Sequence, residues 1–113
     1  MNKPLPERVI IESPFDDMSY LADCIHDCIV NHDESPVASY GLYTITLNNR
    51  DLGKRTGFSW LEVADRVVVY IDQGVTEGMK LGIEKAESLG IPVEQRRVRK
   101  ENCIDGFCRI NSW

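Results

Sequence analysis

Two groups of residues in this 113-residue chain have the types and spacing to do chemistry, and each asks for a different kind. The first is Asp72-Gln73-Gly74-Val75-Thr76-Glu77-Gly78. Its glycines let a backbone come close to a ligand, and Thr76 can cap a helix whose free N–H groups would face an anion. The run is neither a Walker loop nor the dinucleotide fingerprint, and an ordinary capped helix start has the same composition. The second group is the cysteines. Cys24 and Cys28 are one helical turn apart, and Cys103 and Cys108 flank Ile104-Asp105-Gly106-Phe107, so the four could in principle make one tetrahedral zinc site. Their registers argue otherwise, and no metal is expected. Cys28 falls within the apolar stripe of a helix and Cys24 at its margin, where small buried cysteines ordinarily sit. Asp105-Gly106 suits a type I′ turn that sets Cys103 opposite Cys108 in a hairpin, at a spacing compatible with a disulfide and as thiols in a reducing cytosol.

The elements that must position these residues alternate. Arg8 to Glu12 is a β-branched run that ends in Ser13-Pro14-Phe15, which predicts a strand and a sharp loop. From Asp17 to Asn31 the spacing predicts a helix with Met18, Leu21, Ala22, Ile25 and Ile29 inward and Asp16, Asp23 and Asp27 outward. Ser35 to Tyr43 reads as a second strand leading to Tyr40 and Gly41, and Arg50 to Ala64 as a second helix. That helix is apolar on two sides: Trp60 and Val63 are expected against the sheet, with Phe58 and Leu61 turned elsewhere. Such a helix has two neighbours, so a homo-oligomer joined through residues 50–64 is expected. Arg66 to Ile71 is a continuous apolar run of the kind buried on both faces of a parallel sheet. A third helix follows from Thr76 to Leu89, closed by Gly90, and then a strand from Pro92 to Arg97. The expected fold is one α/β domain over 1–113, a Rossmann-like three-layer arrangement on a parallel sheet of four to five strands, with the tail as a hairpin or edge extension.

Composition narrows the function. A formal net charge of -5 argues against a nucleic-acid binder, which gains affinity by neutralising phosphates. Arg96, Arg97, Arg99 and Lys100 form the one basic run and read as a solvated edge. No apolar run is long enough to cross a bilayer, and Met1 to Arg8 lacks a secretory signal, so a cytoplasmic protein with no membrane partner is expected. In an open parallel sheet ligands bind outside the carboxyl ends of the strands. That rule collects Ser13, Pro14, Phe15, Tyr40, Asp72, Gly74, Thr76, Glu77 and Gly78 as a candidate binding site. Phe15 and Tyr40 could stack on a base, a contact worth about 1 to 3 kcal/mol, although aromatics at strand ends are also common core lids.

In order, RVIIESPF, the helix after it, SYGLY, RDLGKRTGFSWLEVADRVVVYID and GVTEGMKLGIEKAESLGIPV resemble the nucleoside 2-deoxyribosyltransferase-like superfamily, above all its small members from bacteria and phages. The resemblance runs from Arg8 to Val93 and is most specific in the last segment. It implies a Rossmann-like parallel sheet, a nucleoside or 5′-monophosphate substrate, and breakage or exchange of the N-glycosidic bond. It further implies a nucleophilic glutamate on the helix after the third strand and sites often completed by a neighbouring subunit. When the superfamily's "ELG.A" pattern is laid on this helix so that its alanine meets Ala86, the nucleophile falls on Gly82, which cannot form the glycosyl ester. Glu84 and Glu77 both project away from the stripe Val75, Met79, Ile83 and Ala86, and of the two only Glu77 lies near the expected ligand. The resulting expectation is a domain that binds a nucleoside- or nucleotide-like ligand without a cofactor, with sequestration of a nucleotide signal as an extension by analogy. The alternatives are an N-glycosidase or deoxyribosyltransferase using Glu77, and a protein acting through its Phe58 and Leu61 surface or its basic tail.

Overall fold

The structure, a computed structural model, describes residues 4–14, 16–38 and 50–98. Phe15, Tyr40, Gly41, Tyr43, Arg99, Lys100, the expected Cys103–Cys108 hairpin and the rest of the tail lie outside the described residues. The chain runs β1 (Glu7–Glu12), α1 (Met18–His26), β2 (Glu34–Ala38), α2 (Arg50–Leu61), β3 (Arg66–Tyr70), α3 (Glu77–Ser88) and β4 (Val93–Arg96), and α1 continues as a π-helical turn over Asp27–Asn31. The strands form one sheet in the order β2-β1-β3-β4, and every pairing is parallel. This is the α/β class that the alternation predicts.

Strand alternation sorts the core into two layers. Val9 and Ile11 of β1 and Val68 and Tyr70 of β3 pack with Tyr20, Leu21, Cys24 and Cys28 of α1. On the other face Ile10, Val67 and Val69 pack with Leu61 of α2 and with Met79 and Ala86 of α3. Helix ends follow local rules. Asp17 caps α1 by accepting from the Tyr20 N–H at 2.9 Å. Beyond α3, Gly90 takes φ 73°, and the Ile91 N–H donates to the Ala86 carbonyl at 2.9 Å, the glycine stop expected at that position.

Four expectations about orientation need correction. On α1 the inward residues are Tyr20, Leu21, Cys24 and Cys28, while Met18 and Ile29 are more than half exposed. Widening to a π-helical turn after His26 abolishes the 3.6-residue projection that placed Ile29 inside and Asp27 outside. On α2 the sheet is met by Leu61, with Phe58 against it, and Trp60 is 48% exposed with Val63 similar. Val63 lies past the helix end at Leu61, so helical spacing no longer puts it on Trp60's face. A second copy docking on this helix would therefore meet Trp60 and Val63 and not Phe58 and Leu61. On α3 Val75 is exposed because it precedes the N-cap Thr76, and Gly82 takes a place in the buried stripe. Arg96, read as part of a solvated basic edge, is buried.

Candidate functional site

Parallel order β2-β1-β3-β4 makes the boundary between β1 and β3 a switch point: β1 continues to β2 on one side, and β3 continues to β4 on the other. Loops leaving the two strands part there and open a crevice at their carboxyl ends. Each strand delivers one carboxylate to that edge. Glu12 closes β1 and Asp72 follows β3, on opposite faces of the sheet.

Glu12 is the unusual one. Alternation from Ile10 turns it toward α3, beside Val69 in register, and it is only 4% exposed. Its carboxyl group fits because position 82 is glycine. A Cβ at Gly82 would collide with Glu12 Oε2 and lie 2.7 Å from the carboxyl carbon. Among the described residues the carboxyl has no hydrogen-bond or ion-pair partner, and burial pushes it up to about 8. At neutral pH it is therefore mostly the uncharged acid, able to donate one hydrogen bond and accept others. A buried carboxyl without a partner is expensive to keep, which marks it as a candidate functional group.

Asp72 is tied into the structure. Its Oδ1 accepts from the Tyr20 hydroxyl at 2.7 Å and from the Val98 N–H at 3.0 Å, and the Asp72 N–H donates to the Tyr20 hydroxyl oxygen at 3.1 Å. Gln73 Nε2 donates to Asp17 Oδ2 at 2.8 Å, so the loop after β3 is pinned to the start of α1. Burial, helped by the bond to Asp72, holds the Tyr20 hydroxyl in its protonated form. These bonds tie the loop after β3 to α1 and to Val98.

The remaining sequence candidates surround these two. Pro14 is buried and Ser13 half-buried immediately after Glu12. Gly74 takes φ 88°, a conformation that favours glycine, in the loop before α3. Thr76 Oγ1 accepts from the Met79 N–H at 3.2 Å, and Met79 Sδ accepts from the Thr76 N–H at 3.4 Å. An anion at this helix start would use the N–H groups of Glu77 and Gly78. Glu77's side chain is 89% exposed and pairs with Lys80 at 3.3 Å, away from the buried acid.

Beneath α1 a second polar cluster has a different character, because every member is partnered. Arg96 places two nitrogens on the two Glu34 oxygens at 2.7 Å each, and its Nε on Glu94 Oε2 at 2.6 Å. The Tyr70 hydroxyl donates to Asp27 Oδ2 at 2.8 Å, and His32 Nε2 lies 3.4 Å from the same oxygen. Burial would push the Arg96 guanidinium down, but its bonds to Glu34 and Glu94 hold it above its ordinary value. Burial also pushes the Cys24 thiol up to about 12 and the Cys28 thiol up to about 11, so both are protonated and unreactive at neutral pH. Among the described residues no group of three or more His, Cys, Asp or Glu side chains is placed to hold a metal ion.

Sequence reasoning missed Glu12. The signal was present: a lone glutamate ends a β-branched strand and meets a glycine midway along a helix. Neither half means much until the fold brings them together. One test follows at once. Gly82→Ala should destabilise the protein by about 1 to 3 kcal/mol by driving methyl into carboxyl, although alanine is the better helix former. In Glu12→Ala/Gly82→Ala that penalty should vanish, giving a coupling of at least about 1 kcal/mol in urea unfolding. Simple additivity of the two changes would show that the carboxyl does not fill the notch.

Residues 7–96, most of the chain, match the model of the family described as Domain of unknown function (DUF7768). No curated protein and no solved structure matches the chain.

Proposed function

We propose that this chain, which belongs to the DUF7768 family, binds a nucleoside- or nucleotide-like ligand in the crevice between the carboxyl ends of β1 and β3. The observation that carries this reading is the buried Glu12 carboxyl, without a partner among the described residues, at the switch point of a parallel sheet. The base-like part of the ligand lies over Glu12, Ser13 and Pro14. Its phosphate or ribose oxygens turn to Gly74, Thr76, Glu77 and Gly78, where the glycine backbone and the first turn of α3 meet it. Asp72 braces the wall between them. The sequence resemblance supports the same ligand class. Among the described residues no helix is long and apolar enough to cross a membrane, and we place the protein in the cytoplasm.

A thermal-shift screen against nucleosides, mononucleotides, cyclic nucleotides and ADP-ribose-type ligands tests this. A ligand at a hundredfold excess over its Kd adds about 2.7 kcal/mol, a rise in Tm on the order of 10 °C for a domain of this size. The ligand should be recovered intact by chromatography. No shift with any member of the panel would discard the reading.

A second reading, cleavage of the N-glycosidic bond, draws support from one observation. Glu12 fills the space that a side chain at position 82 would need, and 82 is where the resemblance puts its nucleophile. On this reading Glu12, and not Glu77, is the reacting carboxylate. Free base should then be released from a deoxynucleoside 5′-monophosphate by the wild-type chain and by Glu84→Gln, and not by Glu12→Gln.

A further inference from the structure

We propose that Glu12 reads its ligand as a neutral acid, forming a two-point hydrogen-bond pair with an uncharged amino-heterocycle edge that carries a ring nitrogen beside an amino group. The proposal rests on the binding reading above and names the group by which that site chooses.

Three features point to this. The carboxyl lies at the carboxyl end of β1, beside the switch point, and Gly82 of α3 leaves the space that holds it there. It is 96% shielded from water yet has no partner among the described residues, so no described group takes up its hydrogen-bonding capacity. No side-chain oxygen among those residues is both sealed from water and unpartnered, so the remaining exposure of Glu12 reaches its oxygens. A donor and an acceptor side by side that no described residue engages favour a ligand with the complementary pair. The carboxylic O–H is a strong donor, and a ring nitrogen is among the strongest neutral acceptors it can meet.

Among the described side chains of α3, β2 and β3, no charged group pairs with Glu12. On α3, Glu77, Lys80, Glu84 and Glu87 are exposed, and Lys85 lies 5.7 Å over the Phe58 ring. From β3 and its loop, Tyr70 and Asp72 face α1 and are hydrogen-bonded there, while Arg66 at the far end of β3 pairs with Glu7 and Glu94. From β2, Glu34 is held by Arg96 on the α1 side. Burial alone holds the Glu12 proton, which is released at about pH 8. An ionised Glu12 keeps its acceptors but loses its only donor, so it turns two lone pairs toward the ring nitrogen.

Calorimetric titration of adenosine and cytidine into the full chain, at pH 7 and pH 9, tests this, since neither base titrates in that interval. Wild-type affinity should fall about tenfold across it, the loss of protonated Glu12 expected from its midpoint. Glu12→Gln keeps a donor beside an acceptor and cannot ionise, so it should bind both nucleosides with the same affinity at both pH values. Glu12→Met, similar in size but without either group, should bind at least tenfold more weakly than wild type at pH 7, while its circular dichroism confirms a folded chain. Unchanged or rising wild-type affinity at pH 9 would overturn the proposal, as would full binding by Glu12→Met. If other nucleotides bind but these two nucleosides do not, this proposal fails and the binding reading survives. If no nucleoside or nucleotide binds at either pH, both fall.

Discussion

Glu12→Gln is expected to stabilise this protein, by roughly 4 to 5 kcal/mol at pH 9 and by almost nothing at pH 4. The sign follows from where the proton is held. The Glu12 carboxyl, ordinarily titrating at 4.5, is pushed up to about 8 in the folded chain by burial. Between those two values the folded state keeps a proton that the unfolded chain has released. The stability contributed by the neutral acid is thus complete below pH 4.5, declines by about 1.4 kcal/mol per pH unit, and is lost once pH passes 8. Glutamine preserves size and polarity but has nothing to titrate, so its advantage over wild type should grow with pH along that slope. Urea unfolding of both proteins at pH 5, 7 and 9 measures it, because every other titrating group is common to the two. Parallel stability curves would mean that Glu12 ionises as freely in the folded chain as in the unfolded one. A total stability of about 5 to 15 kcal/mol is usual for a domain, so this is a large sum to lose at one side chain. Such a cost is what a stability–function trade-off leaves behind at a site.

The second large effect lies on the other face of the sheet. Arg96→Met should destabilise the protein by about 3 to 5 kcal/mol, enough to leave a marginal domain largely unfolded at 37 °C. The guanidinium and the Glu34 carboxylate are each 7% exposed and meet through two 2.7 Å bonds, which tie the start of β2 to the end of β4 at opposite edges of the sheet. Without Arg96, the buried Glu34 carboxylate loses its charge partner and both 2.7 Å donors. The loss should be far from additive: Glu34→Met/Arg96→Met removes both charges and should recover most of the stability lost in either single variant. Glu94, 38% exposed, can turn to water once Arg96 is gone and should contribute little. Denaturant unfolding of the two singles and the double closes the cycle. Additive losses would show that the pair is not an isolated buried unit.

The contrast between the two clusters is informative about function. Arg96, Glu34, Tyr70 and Asp27 are partnered, so that cluster is complete in itself and serves stability and register. Glu12 is as deeply buried and has no partner among the described residues, so its carboxyl is left for something other than those residues to engage. Position supports the same division, since Glu12 stands at the carboxyl end of β1, where the loops diverge.

Much of this was legible in the chain. Val67 to Tyr70 is apolar without interruption, and a strand covered on both faces is where such a run belongs. Thr76 and Gly90 bracket α3 by local rules that need no tertiary contact. Alternation of strands and helices at short intervals leaves a parallel sheet as the natural outcome, and the crevice at its carboxyl end comes with that topology. Periodicity chose the wrong side of α2, putting Trp60 and Val63 against the sheet, because it carried helical spacing past Leu61, where the helix ends. It placed Cys28 inward correctly but could not foresee the π-helical turn that leaves Ile29 in water. Sequence by itself determined element type, order and caps, since these depend on neighbours within a few residues. Only the tertiary structure decided which carboxylates are buried, which are paired, and that Glu12 of the first strand and Gly82 of the last helix, seventy residues apart, occupy one volume. Burial and pairing are properties of surroundings assembled from distant segments, and a side chain's chemistry is set by those surroundings.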